Sequence, residues 1–490
     1  MYGCHSEPKQ SEGEESQQQQ LEERFFGLQP QNDRHHNQRG ELLGISLPIG
    51  KAVPNLSVAE LHEIIDQLLA KREHHLVHRS VPSLLASLDR VIQLWLDPIS
   101  HERQEAETRL PAETGLSPEM IRHTLPLIFQ EYRAERLETL LRDELGDPNA
   151  LDTFVPVQGR RRKAYAPALI TQVLASNVPG AGLDGVIFAL LVKSATLVKA
   201  SSSASLLPTL FARSLARVDP ELSACLAVVT WPGGSTALEE VAFSRADVVL
   251  ASGSDKTLAA IHSRVGRRFI GYGHKISFSL VSRDVLTDAK NAAEFARRAA
   301  YDVVLFDQQG CLSPHLIYVE EGGKITPPEF AALLAQALER WQTVLPRGQV
   351  TPEESMAIRR VRDAVEWQAL AGKTVTVHAS ALGTEWSVIY DAEPTFVPSP
   401  LLRTVWVKPL ALAQLETLLI PWQLHIEAAG IAVTPARLAE VIDLLGRAGV
   451  SRICPIGAMQ TPPLSWRRGG HPRIADLVRW VEVEETGAGG

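Results

Sequence analysis

The 490-residue sequence predicts an α/β protein with two doubly wound sheets of parallel strands behind a helical N-terminal region. Three observations carry that expectation. Between residues 169 and 270, short β-branched apolar runs alternate with helical stretches, the pattern that parallel crossover units produce. The same alternation resumes after about residue 276. Ahead of both, from about Val58 to Leu145, apolar residues recur at helical spacing, as in Leu61, Ile64, Ile65 and Leu68, and again in Leu137, Leu140 and Leu141.

Taken along the chain, residues 1 to about 40 hold the glutamine run 17–20, many charges and few large apolar residues. Such a composition cannot offset its own ordering entropy and reads as a disordered tail. After the basic run Arg160 to Lys163 the first α/β pattern begins. Its strands are expected at 169–175, 196–199, 224–230, 247–250 and 268–270, with helices at 183–193, 205–217, 237–243 and 256–262 between them. Five strands and four crossovers make one sheet of dinucleotide-binding size. In the second portion the expected strands are 277–281, 316–319, 374–378, 385–390 and 404–407. Helices around 288–300, 328–341, 353–370 and 435–445 would cover them.

Size and composition narrow the function. A chain of 490 residues with 45% apolar composition exceeds the ~250–300 residues at which one core stops growing, so two or three domains are expected. A net charge of -8 supplies no basic field for a phosphate backbone, which argues against nucleic acid and for a small-molecule substrate. The longest apolar run, 185–192, stops at Lys193, well short of the roughly 18 residues of a membrane span. The Glu/Gln/Ser-rich start is unlike a secretory signal, so the expected location is cytoplasmic. Cys4, Cys225, Cys311 and Cys454 lie far apart with no C-x-x-C pair, so no disulfide framework and no metal site is expected.

Five segments carry candidate chemistry. Gly180-Ala181-Gly182-Leu183-Asp184-Gly185 is a literal G-x-G-x-x-G between an expected strand and helix, where glycines would let a pyrophosphate approach. That reading needs an acidic residue closing the next strand, and Lys199 stands there instead, so glycines that merely tighten a turn explain the pattern as well. Beside them, Asn177 in Ser176-Asn177-Val178-Pro179 puts an amide at a strand's carboxyl end, able to donate to an oxyanion or to open a turn before Pro179. Lys199 followed by Ala200-Ser201-Ser202-Ser203 suits a phosphate or ribose, and equally an ordinary helix cap. Gly253-Ser254-Asp255 repeats the theme after the next strand but one. Cys311 sits in Asp307-Gln308-Gln309-Gly310-Cys311-Leu312-Ser313-Pro314, a polar segment that would present a nucleophilic thiol.

In this order the segments resemble the aldehyde dehydrogenase superfamily. The matching pieces are Asn177-Val178-Pro179, Lys199-Ala200-Ser201-Ser202, Gly253-Ser254-Asp255, Gly271-Tyr272-Gly273-His274-Lys275 and Gln309-Gly310-Cys311. Adding Gln460-Thr461-Pro462-Pro463-Leu464-Ser465-Trp466, the chain is similar, from about Leu42 to Glu484, to the long-chain acyl-CoA reductases of bacterial luminescence systems. The resemblance implies that Cys311 takes the acyl group from an acyl-CoA or acyl-protein and that NADPH reduces the thioester to an aldehyde. It implies an oxyanion held by Asn177 and the Cys311 backbone N–H, and a cofactor near Lys199, Ser201, Ser202, Gly253 and Ser254. Glu393, ahead of Phe396, would correspond to the glutamate that holds the nicotinamide ribose. It also implies a homo-oligomer and a fatty-acyl synthetase subunit as partner.

The expected division is then a disordered tail (1–40), a helical region (41–150), a nucleotide-binding domain (151–275), a catalytic domain (276–465) and a C-terminal extension (466–490). Two departures from the superfamily pattern are informative. Gly271 stands where the general base would be, so nothing there activates water against the acyl-enzyme, and reduction is favoured over oxidation to an acid. Ser202 stands where a glutamate would repel a ribose 2′-phosphate, which favours NADPH. His274 and His315 are candidate proton donors to a leaving thiolate, or hydrogen-bonded structural residues. The competing readings are an ordinary aldehyde dehydrogenase, which Gly271 opposes, and a non-catalytic acyl-binding scaffold.

Overall fold

The computed structural model describes residues 56–174, 178–201, 204–265, 268–381 and 383–484. The N-terminal portion is helical: α1 (Val58–His75), α2 (Val81–Leu96), α3 (His101–Thr114), α4 (Pro118–Phe129) and α5 (Ala134–Leu145). Ser57, Ser80, Ser100 and Ser117 each precede one of the first four helices, and each hydroxyl accepts the backbone N–H three residues on. Trp95 of α2 is fully buried, stacked on Phe129 at 4.4 Å, and its indole N–H donates to Ser214 Oγ at 3.0 Å. The helical region is thereby packed onto the first α/β unit.

That unit contains β3 (Leu169–Val173), α6 (Leu183–Leu191), β4 (Ala195–Ala200), α7 (Leu206–Val218), β5 (Leu226–Thr230), α8 (Thr236–Ser244), β6 (Val248–Ser252), α9 (Asp255–His262) and β7 (Arg268–Tyr272). All its strands pair in parallel, in the order β5-β4-β3-β6-β7. The chain starts in the middle, winds out to β5, then returns to β6. This reversal opens a crevice at the carboxyl ends of β3 and β6, the usual ligand position in such sheets.

The second unit is built on β8 (Ile276–Val281), α10 (Ala289–Val304), β9 (Pro314–Glu320), α11 (Pro327–Val344), α12 (Pro352–Leu370), β10 (Val375–Ala379), β11 (Ser387–Asp391), β12 (Thr404–Leu410), β13 (Ile426–Ala432), α13 (Pro435–Arg447) and β14 (Arg452–Pro455). Its seven strands run β10-β11-β12-β9-β8-β13-β14, parallel except for β10 against β11. A small antiparallel sheet joins β1 (Val155–Val157) and β2 (Arg160–Tyr165) to β15 (Arg479–Glu484). No helix among the described residues is long and apolar enough to cross a membrane.

The expected strands of both units are present with ends shifted by a few residues, while five strands, β1, β2, β13, β14 and β15, were not legible. β13 reads Ile-Glu-Ala-Ala-Gly-Ile-Ala, too rich in small residues to signal a strand, yet it is buried along its whole length between β8 and β14. β14 is only four residues long. β2 contains the basic run, and its pairing with β15 across more than 300 residues makes it a strand: Arg162 faces Glu482, and its guanidinium lies 4.4 Å from the Trp480 ring centre. The segment after residue 466 thus returns to the body of the protein.

One constraint governs the approach to β9. Phe306, Asp307 and Gln308 carry φ of 53°, 52° and 64°, and Leu401, Leu402 and Arg403 carry 65°, 52° and 62°. Left-handed backbone costs a non-glycine residue about 1–2 kcal/mol, so both stretches need external support. It comes from a buried ion pair between them: Arg403 Nε donates to Asp307 Oδ1 at 2.8 Å, with Nη2 2.6 Å away. Asp307 Oδ2 also accepts the Gly348 N–H at 2.9 Å, and Arg403 Nη1 donates to Gln342 Oε1 at 2.8 Å. Gln308 completes the clamp by donating from Nε2 to the carbonyls of Pro314 (2.8 Å) and Thr404 (3.0 Å).

Replacing Arg403 with Met would leave the Asp307 carboxylate buried without a counter-charge. Loss of one partner of such a pair typically costs about 3–5 kcal/mol. Urea unfolding of Arg403→Met is expected to show a loss of that order.

Candidate active site

Cys311 lies just beyond the left-handed turn, three residues ahead of β9, and is half-buried, whereas Cys225 and Cys454 are buried. A tight turn presents it, with the Ser313 N–H donating to the Gly310 carbonyl at 2.9 Å. The Cys311 carbonyl is held from the far side by the Ser277 hydroxyl at 2.8 Å, and Ser277 Oγ in turn accepts the Ala428 N–H at 3.2 Å. β8, β13 and the cysteine turn therefore form one hydrogen-bonded unit.

The C-terminal segment covers this turn. Gln460 Nε2 donates to Ser313 Oγ at 2.7 Å, and Trp466, like Cys311, packs against the cluster Leu312, Ala428, Cys454 and Met459. The covering loop is anchored by Asp302 of α10, whose carboxylate accepts the N–H groups of Gly457 (2.6 Å) and Met459 (3.0 Å). Farther along, the Arg468 guanidinium lies 4.2 Å from the Tyr272 ring centre, and Arg473 pairs with Asp184 at the start of α6.

Electrostatically the Cys311 thiol is pulled both ways. Burial pushes its pKa up, Arg468 is the strongest influence pulling it down, and the negative charges of Glu427 and Asp184 add to the effect of burial. Glu427, itself buried, has Oε1 occupied by the Ser451 hydroxyl at 2.9 Å and the Gly469 N–H at 2.8 Å. Burial, reinforced by His274, pushes His315 down to about 4, and its Nδ1 accepts the Ser399 N–H at 3.1 Å. His315 is therefore neutral at ordinary pH and tied to the backbone. Burial also lowers His274, against the pull of Asp255.

The expected cofactor residues fall along one edge of the five-stranded sheet. Lys199 is the last residue but one of β4 and Ser201 follows that strand, while Gly253 and Ser254 follow β6. Ser254 caps α9, accepting the Thr257 N–H at 3.2 Å. A cation, two hydroxyls and an open helix start give this edge donors suited to the phosphates and ribose of a nucleotide. Asn177 and Ser202 lie outside the described residues. Glu393 is exposed; its N–H donates to Asp391 Oδ1 at 3.0 Å and its carbonyl accepts from the fully buried Lys408 Nζ at 2.8 Å.

The Gly180 to Gly185 segment takes the turn-tightening role. Gly180 and Gly182 have φ of +81° and +86°, and a Cβ on Gly182 would stand 2.3 Å from Leu174 Cδ2. The space beside that glycine is filled by the protein's own side chain.

Tyr272 joins the two edges. The Gly253 N–H donates to its carbonyl at 3.3 Å, while its ring lies 4.2 Å from the Arg468 guanidinium. Sequence reasoning missed Arg468, Asp184, Glu427, Ser277 and Asp302. The motif 460–466 ends two residues ahead of Arg468 and the glycine-rich 180–185 contains Asp184, but only tertiary contacts, from 34 residues apart for Ser277 with Cys311 to 289 for Asp184 with Arg473, bring the set together.

The fold is that of the aldehyde dehydrogenases. The structure superimposes on an oxidoreductase from Marinobacter aquaeolei with a TM-score of 0.67 at 12% identity, covering 88% of this chain and 91% of that one. It matches a putative aldehyde dehydrogenase PutA from Anabaena variabilis with a TM-score of 0.65 at 14% identity, covering 89% and 96%. Within that class the chain belongs to the acyl-CoA reductase (LuxC) family, whose model matches residues 76–480. Among its relatives, a long-chain acyl-protein thioester reductase of Photorhabdus laumondii subsp. laumondii is 27% identical over 355 residues, 71% of this chain and 70% of that protein. Another, from Aliivibrio fischeri, is 25% identical over 418 residues, 83% of each.

Burial pushes the Asp302 carboxyl up to about 7, despite its two N–H donors. In the unfolded chain it would titrate near ~3.9. The folded state therefore holds this proton more tightly, and its stability falls as pH rises between those values and levels off above them. Asp302→Asn cannot ionise. Denaturant unfolding across pH 4 to 8 is expected to show the wild type losing stability relative to this variant up to about pH 7.

Proposed function

We propose that this chain reduces a long-chain acyl thioester, delivered as acyl-CoA or acyl-protein, to the aldehyde through a covalent acyl-Cys311 intermediate, with NADPH as hydride donor. The observation that carries the proposal is a half-buried thiol, held between a clamped turn and a covering segment, in a chain of the acyl-CoA reductase family. Residues 151–275 would serve as the nucleotide-binding domain and 276–465 as the catalytic one.

The Cys311 thiolate attacks the thioester carbonyl, forming the new carbon–sulfur bond. The Cys311 N–H and the Asn177 amide stabilise the oxyanion, an effect worth ~10²–10³ in rate per donor. Collapse expels the donor thiolate and leaves the acyl-enzyme. Lys199, Ser201, Ser202, Gly253, Ser254 and Glu393 would hold a nicotinamide cofactor, which when bound would supply the hydride for the acyl carbon. Cys311 leaves as thiolate, and the aldehyde is released.

Reduction rather than hydrolysis is supported by the carboxylates at the site. Gly271 carries no side chain where the superfamily's general base would stand, and a Cβ there would lie 2.8 Å from Phe269 Cε1, so the ring would have to move to admit one. Asp184 is paired with Arg473, and Glu427 accepts from Ser451 and Gly469. None of the three positions offers a ready base for water.

Incubation with radiolabelled acyl-CoA is expected to label Cys311, and NADPH to discharge the label as aldehyde. Cys311→Ala should lose both labelling and reduction; retained reduction would overturn the assignment, and absence of labelling in the wild type would favour an acyl-binding scaffold. With acyl-CoA held constant, NADPH is expected to support faster turnover than NADH, as judged from steady-state rates.

A further inference from the structure

We propose that Arg468, carried on the covering C-terminal segment and propped on the Tyr272 ring, is the residue that stabilises Cys311 as a thiolate. The inference rests on Cys311 being the nucleophile.

The first ground is that the charge of Arg468 is uncommitted. Among the described residues its guanidinium makes no hydrogen bond and no ion pair, and it stacks on the Tyr272 ring at 4.2 Å. A cation stacked on an aromatic face keeps its charge and its outward N–H groups. The nearby carboxylates are engaged elsewhere, Asp184 by Arg473 and Glu427 by Ser451 and the Gly469 N–H.

The second ground is placement. The Gly469 N–H fixes the Arg468 turn to Glu427 at 2.8 Å. The next residue of β13, Ala428, donates to Ser277 Oγ, and Ser277 donates to the Cys311 carbonyl. Trp466, two residues ahead of Arg468, packs in the same apolar cluster as Cys311. Two short runs of contacts thus tie the arginine turn to the cysteine turn.

The charged and titratable groups around the sulfur can be weighed one by one. Arg468 favours its ionised form, while Glu427 and Asp184 oppose it. Arg452 also acts on this group, but its Nη1 and Nη2 are committed to the carbonyls of Met459 (2.6 Å) and Ala458 (2.8 Å). Asp302 faces Arg452 and anchors the loop, and burial pushes the Cys454 thiol up to about 11, so it stays neutral. Arg468 is therefore the cation available to favour ionisation of a buried sulfur. It offsets part of the burial that holds the Cys311 thiol above its ordinary value, so that less is asked of any general base. Arg468 is a positioning residue, acting through the sulfur.

The test is the pH dependence of iodoacetamide alkylation on the full chain, with the Cys311 adduct quantified by peptide mass spectrometry. A neighbouring opposite charge typically shifts a thiol by on the order of one pH unit, so Arg468→Met and Arg468→Gln should raise the alkylation midpoint by about that much and slow alkylation roughly tenfold below it. Arg468→Lys should restore most of the shift. Buried Cys225 reports folding, and the charge-removing variant that leaves it unmodified is the one to read. A midpoint unchanged or lowered in that variant would overturn the inference about Arg468. Failure of the nucleophile assignment would appear separately, as acyl labelling that survives in Cys311→Ala.

Discussion

The Asp307–Arg403 ion pair supports the part of the chain on which the site depends. Six non-glycine residues in left-handed conformation, three on each side of the pair, would unwind without compensation. The pair locks the two stretches against each other, and Gln308 converts that lock into a position by bonding the carbonyls of Pro314 and Thr404. Those carbonyls open β9 and β12, neighbouring strands at the middle of the seven-stranded sheet. Cys311 lies between the clamp and β9, so its place relative to the sheet follows from it. A buried pair contributes little net stability compared with apolar packing, which points to a role in specifying geometry.

Around the sulfur, the arrangement answers the problem that burial creates. A half-buried position shields an acyl intermediate from water but also holds the thiol in its neutral, unreactive form. The surrounding carboxylates would worsen this if they were free to approach. Instead Asp184 pairs with Arg473 and Glu427 accepts from Ser451 and Gly469, while Gly271 leaves no carboxylate on β7. The same tying-down that protects the thiol from acidic neighbours removes candidate bases for hydrolysis. Tyr272 links this region to the turn after β6, since its carbonyl takes the Gly253 N–H and its ring takes Arg468.

Strands of the two large sheets were legible because parallel strands, covered on both faces, read as compact β-branched runs such as Leu169–Val173 and Val248–Ser252. Helices such as Pro327–Val344 were legible from their apolar spacing, as a helix buries one stripe. β13 escaped notice because alanine and glycine carry little β signal, although it is the strand that brings Glu427 and Ala428 beside the cysteine turn. β2 and β15 escaped because their partner lies at the other end of the chain. At the candidate site, the cysteine segment and the polar turns after β4 and β6 stood out as local motifs. Arg468 did not, since an arginine in Trp466-Arg467-Arg468-Gly469 is unremarkable until Tyr272 lies beneath it.

By itself the sequence determined the class of the fold and the order of its units and singled out Cys311 as the candidate thiol, because periodicity and short motifs are local properties of the chain. Only the tertiary structure decided how Cys311 is presented, where Arg468 rests and which carboxylates are tied down. Those depend on contacts such as Asp307 with Arg403, Ser277 with Ala428 and Tyr272 with Arg468, which join residues 96, 151 and 196 positions apart. Charge interactions fall off within a few ångströms in space and take no account of separation along the chain.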